Sequence, residues 1–310
     1  MTAETAPSLP DRRGALIRHI RSHRPQAVGL TLAMAAVVGL ILLSNWRILT
    51  GEPIPGLGLA LAGGLAAFAA TALGGVPALA VRALPQKLED SLLGAAAGMM
   101  LAASAFSLIL PGLAASEKIV GHGVFSALIV VVGMAFGVLL MLGLEAFTPH
   151  LHPAAGSFGP GAERWSRIWL FVFAITLHNL PEGMAIGVAF SHADLGVGVP
   201  LTTAIALQDM PEGLAVALAL RGGGMKPLAA VLVAAASGFV EPLGALVGIG
   251  LTGGLAIAYP IGLGLAAGAM IFVVSHEVIP ETHRNGHQTP ATVGLMFGFA
   301  LMMVLDTALG

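Results

Sequence analysis

Nine apolar stretches separated by short polar connections run the length of the chain, at 27–43, 56–81, 88–113, 124–147, 168–190, 199–220, 228–251, 255–279 and 289–309. A helix needs roughly 20 apolar residues to cross a bilayer, and only a helix or a closed barrel satisfies its own backbone there. These runs are continuous rather than alternating, so they predict nine transmembrane helices and an all-α polytopic membrane protein. Residues 1–26 are left as a polar, basic tail, and 148–167 as the longest loop.

Composition agrees with lipid as the solvent: 56% hydrophobic residues, 10% charged residues and a mean hydropathy of +0.91 do not describe a soluble domain of 310 residues. Charge then orients the chain, because cytoplasmic loops collect Lys and Arg. With the tail inside, twelve of the fourteen basic residues face the cytoplasm: Arg12, Arg13, Arg18, Arg21, Arg24, Arg82, Lys87, Arg164, Arg167, Arg221, Lys226 and Arg284. Only Arg47 and Lys118 fall outside. Losing one helix would invert every later loop, so this agreement supports the count of nine and puts the C-terminus outside. The first apolar run follows basic residues as a signal peptide would, but no A-x-A-like cleavage site comes after it, and it reads as a retained helix. The absence of cysteine removes thiolate ligands, leaving His, Met, Asn, Gln and carboxylates for any metal.

Two internal repeats emerge when the segments are compared. HNLPEGMAI at 178–186 matches QDMPEGLAV at 208–216, and LGAAAGMM at 93–100 matches LGLAAGAM at 263–270 in six of eight positions. Both pairs run in opposite directions through the membrane, as a pseudo-twofold axis in the membrane plane requires and as many secondary transporters are built. Gly94, Gly98, Gly264 and Gly268 also form small-residue faces for close helix packing.

Polar residues concentrate at one depth. Met100, His178, Asn179, Gln208, Asp209 and Glu241 lie near the centres of their segments, with Glu182 and Glu212 one turn away. A central carboxylate costs roughly 2.5–3.5 kcal/mol on an insertion scale, so four of them cost on the order of 10 kcal/mol. No Lys or Arg lies within these segments to compensate, which leaves a bound cation as the expected partner, with protonation of some of the carboxylates as the alternative. Residues three or four apart share a helix face, so His178 and Asn179 each align with Glu182, and Gln208 and Asp209 each align with Glu212. Two cation positions bridged by Glu182 and Glu212 follow, with four carboxylates balancing two divalent ions. His178 and the sulfur of Met100, or of Met99 if the helix is rotated, make one position softer and suited to zinc, cadmium or iron(II); Asn179, Asp209 and Glu241 make the other harder. Pro181 and Pro211 withhold the donor that the Leu177 and Leu207 carbonyls would otherwise meet, which predicts interrupted helices at midplane.

HNLPEG and QDMPEG on successive helices, followed by SGFVEPLGA and FVVSHEVIPETH, resemble the ZIP (zinc and iron regulated transporter-like) family in its bacterial branch, over about 88–310. The resemblance implies an eight-helix core of three, two and three helices at 56–309, with 27–43 as an extra N-terminal transmembrane helix. It implies an inner-membrane protein moving zinc toward the cytoplasm. It also implies a binuclear site: Met100, His178, Glu182, Gln208 and Glu212 on one metal, Asn179, Glu182, Asp209, Glu212 and Glu241 on the other. Gln208 and Asp209 depart from the second histidine motif common in eukaryotic members. The expected partners are divalent metal ions and the bilayer, with a homodimer as the candidate assembly, and neither nucleic acid nor an organic cofactor.

Toward the cytoplasm, His276, Glu277, Glu281, His283 and His287, with His150 and His152 of the 148–167 loop, read as a zinc release or sensing region or as ordinary solvated loop residues. HEVIP at 276–280 starts like a zinc-protease motif, but Pro280 stands where the second His would be. Outside, Glu117 and Asp306 are candidate cation attractors, Asp306 equally a helix-end residue. Two rivals to a transporter remain: an intramembrane hydrolase using paired metals to activate water, for which no base separate from the ligands is evident, and a metal sensor that binds without transport.

Overall fold

The structure, a computed structural model, describes residues 19–49, 55–148, 150–152, 156–158, 167–252 and 256–309. Nine long helices account for nearly all of them: α1 (Arg24–Leu49), α2 (Leu57–Gly75), α3 (Gln86–Val120), α4 (Val124–Phe147), α5 (Arg167–Ala189), α6 (Leu195–Gly222), α7 (Pro227–Thr252), α8 (Ala258–His283) and α9 (Gln288–Leu309). The last eight each contain a stretch long and apolar enough to cross a bilayer. The exception to the all-helical expectation is a small antiparallel hairpin in the long loop, β1 (His150–His152) with β2 (Gly156–Phe158). Residues 1–18 of the basic tail, and most of the loop around the hairpin, lie outside the described residues.

Local chemistry sets the ends. The Asp194 carboxylate accepts from the backbone N–H groups of Gly196 at 2.9 Å and Val197 at 3.3 Å, so it caps the start of α6. Pro227 opens α7 at a position where no N–H is needed. Between α3 and α4 the chain reverses through Gly121 and Gly123, both at positive φ. Arg221, in the last turn of α6, donates to the carbonyls of Ala78 and Val81, tying that end to the end of α2.

The helices pair through glycine, and the pairing shows the repeat. A Cβ on Gly98 of α3 would collide with the Leu295 backbone of α9, while a Cβ on its repeat partner Gly268 of α8 would collide with the Met134 backbone of α4. Likewise Gly183 of α5 lies against the Glu241 backbone of α7, and Gly213 of α6 against the Thr71 backbone of α2. Exchanging α2 with α7, α3 with α8, α4 with α9 and α5 with α6 maps each contact onto its counterpart, the three-two-three inverted plan. Two groups of helices result: α2, α5, α6 and α7 around one set of seams, and α3, α4, α8 and α9 around the other. The alanine-rich core between them joins Met100, Ile186, Ile205, Leu263 and Met270. α1 packs on the outside against α4 and α7.

Two local expectations change. The helices α5 and α6 run unbroken through Pro181 and Pro211; a proline deletes one backbone hydrogen bond, and the close packing of neighbouring helices holds the path straight enough to continue. The irregular turns lie elsewhere, as π-helical segments at Ser104–Ile109 in α3 and Val274–Val278 in α8. They occupy matching places in the repeat. A further break interrupts α7 at Phe239, two residues before Glu241.

Candidate metal centre

His178, Asn179 and Glu182 enter the interior from α5, Gln208, Asp209 and Glu212 from α6, Glu241 from α7 and Met100 from α3, and none is more than 4% exposed. Close approach of α5 to α7 and of α6 to α2 follows from Gly183 and Gly213, which sit directly after the two motif glutamates. One oxygen each from Glu182, Asp209 and Glu212 lies within 4.8 Å of the other two. Such crowding of acids is repulsive unless a positive charge joins them, and among the described residues no Lys or Arg is paired with any of the three.

The hydrogen bonds that do reach the cluster leave most of it bare. Gln208 Nε2 donates to Glu182 Oε1, Thr71 Oγ1 donates to Glu241 Oε1 at 2.8 Å, and Asn179 Nδ2 donates to the Ser237 carbonyl at 3.1 Å. Among the described residues Asn179 Oδ1, Glu182 Oε2, Gln208 Oε1, Glu241 Oε2 and both carboxylate oxygens of Asp209 and Glu212 have no hydrogen-bond partner. All are acceptors, and all are hard or borderline donors to a metal. A buried polar atom without a partner costs about 1–3 kcal/mol, more when charged, so a fold rarely collects so many in one place for structure alone. Asn179 is oriented by the hydrogen bond to Ser237 with its amide oxygen left over. Met100 and Met99 are both buried in the same core cluster as Met270.

The residues expected on the release side are not gathered together. Glu277, in the π segment of α8, is 4% exposed, and its Oε2 lies 3.1 Å from His178 Nε2. It therefore adjoins the central group. His276, one residue earlier, turns the other way: its Nε2 is 3.0 Å from Glu145 Oε1 of α4, and its ring stacks on Phe272. Glu281 pairs with Arg284 at 2.8 Å. His287 Nδ1 lies 2.7 Å from Asp90 Oδ2, while Gln86 and Asn285 donate to Asp90 Oδ1. The His283 carbonyl accepts from Gln288 Nε2. His150 and His152 form β1, and their side chains lie outside the described residues. Among the described residues no second group of three His, Asp or Glu brings ligand atoms as close as the central triad does. Of the two acids expected outside, Asp306 accepts from Ser107 Oγ at 2.6 Å, joining α9 to α3, and Glu117 pairs with His122 at 3.0 Å.

Sequence reasoning passed over Thr71, Asp90 and Glu145. Each was visible as a polar residue in or beside an apolar run, and Thr71 carries a further signal in T-A-L-G at 71–74, which parallels E-P-L-G at 241–244.

Comparison with known proteins agrees with this geometry. Residues 156–306, which contain both PEG motifs, Glu241 and Glu277, match the family described as ZIP Zinc transporter. The chain is 62% identical to zinc transporter ZIPB of Bordetella bronchiseptica over 97% of each sequence. It is 40% identical to zinc transporter GufA of Myxococcus xanthus, over 82% of this chain and all of that one, and 30% identical to human zinc transporter ZIP11, over 73% and 90%. With eight apolar helices in inverted halves around a buried acidic triad, and with relatives of this identity along nearly the whole length, the chain belongs to the ZIP family of multi-pass membrane transport proteins.

Proposed function

We propose that this chain moves zinc through the mid-membrane cluster toward the cytoplasm across a bacterial inner membrane, with cadmium and iron(II) as further candidate cargoes. The observation that carries this reading is the Glu182, Asp209 and Glu212 triad, buried, mutually within 4.8 Å and free of Lys or Arg partners among the described residues. Its relatives named as zinc transporters support zinc. Met100, His178, Glu182, Gln208 and Glu212 form the softer position; Asn179, Glu182, Asp209, Glu212 and Glu241 form the harder one. Glu182 and Glu212 serve both, so two divalent cations are matched by four carboxylates.

Inward direction is what the resemblance to the ZIP family implies, and the basic tail and loops support an orientation with the N-terminus in the cytoplasm and the C-terminus in the periplasm. Glu277 of α8 adjoins the softer position beside His178, whereas His276 pairs with Glu145 apart from it. The glycine-seamed group α2, α5, α6 and α7 bears all the proposed ligands except Met100. Movement of that group against the other opens the cluster to one side and then the other. Zinc uptake into proteoliposomes tests the reading: wild-type vesicles accumulate zinc above protein-free vesicles, and Glu182→Ala lowers the rate at least tenfold. Equal accumulation by both proteins, or none by wild type that binds zinc, defeats it.

A further inference from the structure

The exchange that maps α5 onto α6 also maps α2 onto α7, and it gives Glu241 a counterpart on α2. Gly183 packs on the backbone of Glu241, and its repeat partner Gly213 packs on the backbone of Thr71. Three residues farther along, Gly244 of α7 packs on Leu180, and Gly74 of α2 packs on Met210, again a repeat pair. Thr71 is therefore the counterpart of Glu241: the first half carries a hydroxyl where the second carries a carboxylate.

The two meet across the axis. Thr71 is 1% exposed and Glu241 fully buried, and Thr71 Oγ1 donates to Glu241 Oε1 at 2.8 Å. The hydroxyl has one hydrogen and two acceptors in reach, the other being the Ala67 carbonyl at 3.3 Å; the nearer, charged acceptor takes it. Glu241 Oε2 is then the oxygen left without a partner. A glutamate's terminal torsion is broad and roughly two-fold, so without an anchor the carboxylate would sample many orientations. A glutamate at position 71 would instead put a further carboxylate directly against Glu241, repelling it where the hydroxyl donates to it.

We propose that Thr71 is a positioning residue for the harder metal position: its hydroxyl holds one oxygen of Glu241 and presents the other to the cation. The proposal rests on the metal-centre reading above, and its test separates the two. Zinc binding to the purified full-length protein is measured by equilibrium dialysis in wild type, Thr71→Val, Thr71→Ser and Glu241→Gln. Removing a group that orients a metal ligand typically weakens affinity by about 10–100-fold. Thr71→Val is expected to weaken the second zinc by about tenfold or more and to leave the first within about twofold, Thr71→Ser to restore both, and Glu241→Gln to lose the second zinc. Thr71→Ala carries the same readout if the valine variant does not fold. A merely structural threonine would weaken both zincs together or resist rescue by serine, and either result overturns the proposal. Two wild-type zincs in Thr71→Val beside one in Glu241→Gln also overturn it while leaving the metal centre intact. Wild-type binding in Glu241→Gln overturns the metal-centre assignment and the proposal with it.

Discussion

Glu182 and Glu212 are equivalents in the repeat, yet their surroundings differ by a single amide. Gln208 donates to Glu182, whereas both oxygens of Glu212 are without a hydrogen-bond partner among the described residues. His178 and Gln208 stand at the same repeat position, but the Gln208 amide reaches Glu182 of the neighbouring helix while His178 lies 3.1 Å from Glu277 of α8. His178→Ala is accordingly expected to weaken the softer position by at least tenfold and Asp209→Ala mainly the harder one, read as two separate transitions in a zinc titration; equal loss of both transitions in both variants would show a single undivided site. In the turn between α5 and α6, burial lowers the pKa of His192 below its ordinary 6.5, against the opposing carboxylate of Asp194, with the ring against Tyr259. Its neutral form is favoured by folding, so the stability it contributes is present above 6.5 and lost as pH falls below that value. His192→Phe is expected to flatten part of the fall in melting temperature between pH 7.5 and 5.5, a small effect at a half-exposed site. The buried polar cluster was legible in the sequence because depth and missing counter-charge need no fold to be read. Thr71 was not, since a lone threonine in an apolar run bonds its own helix more often than a partner 170 positions away.

Helix counting fails where helices stop being regular. A π turn admits one extra residue, so side chains within Val274–Val278 and after it are rotated relative to a uniform α-helix, and Glu277, inside the segment, adjoins His178 rather than a cytoplasmic ligand group. The prolines at 181 and 211 announced irregularity and caused little, while each π segment ends two residues before a proline, Pro111 and Pro280, which withholds one backbone donor from the turn before it. Helix existence, in contrast, followed directly from the apolar runs, and only the ends moved: α3 continues to Val120 through Pro111, Ser116, Glu117 and Lys118, whose polarity ends the run but not the helix. The glycine seams make their own prediction. Gly183→Ala would force apart two backbones at Glu241 and is expected to destabilise by about 1–3 kcal/mol with loss of zinc binding. Gly58→Ala on α2, where nothing lies within 4 Å, is expected to be neutral or to stabilise by up to about 1 kcal/mol. Thermal unfolding of the two variants side by side checks the contrast.

The absence of cysteine makes the whole molecule a clean background for topology. A cysteine introduced at His122, between α3 and α4, is expected to react with a membrane-impermeant maleimide in spheroplasts, and one at Lys226, between α6 and α7, only after the membrane is opened. The reverse pattern would turn the chain, and with it the proposed direction, around. The bare oxygens of the cluster have a consequence for the empty carrier as well. Without a cation, buried acids and amides are left incompletely bonded among the described residues, and this region is expected to be a weak part of an otherwise alanine-tight core. Cargo then acts as a folding ligand, stabilising by about 2.7 kcal/mol at a hundredfold excess over its dissociation constant. Chelation should lower the melting temperature and expose the seam between the two helix groups to proteolysis, so that metal scarcity would set how long the carrier itself survives.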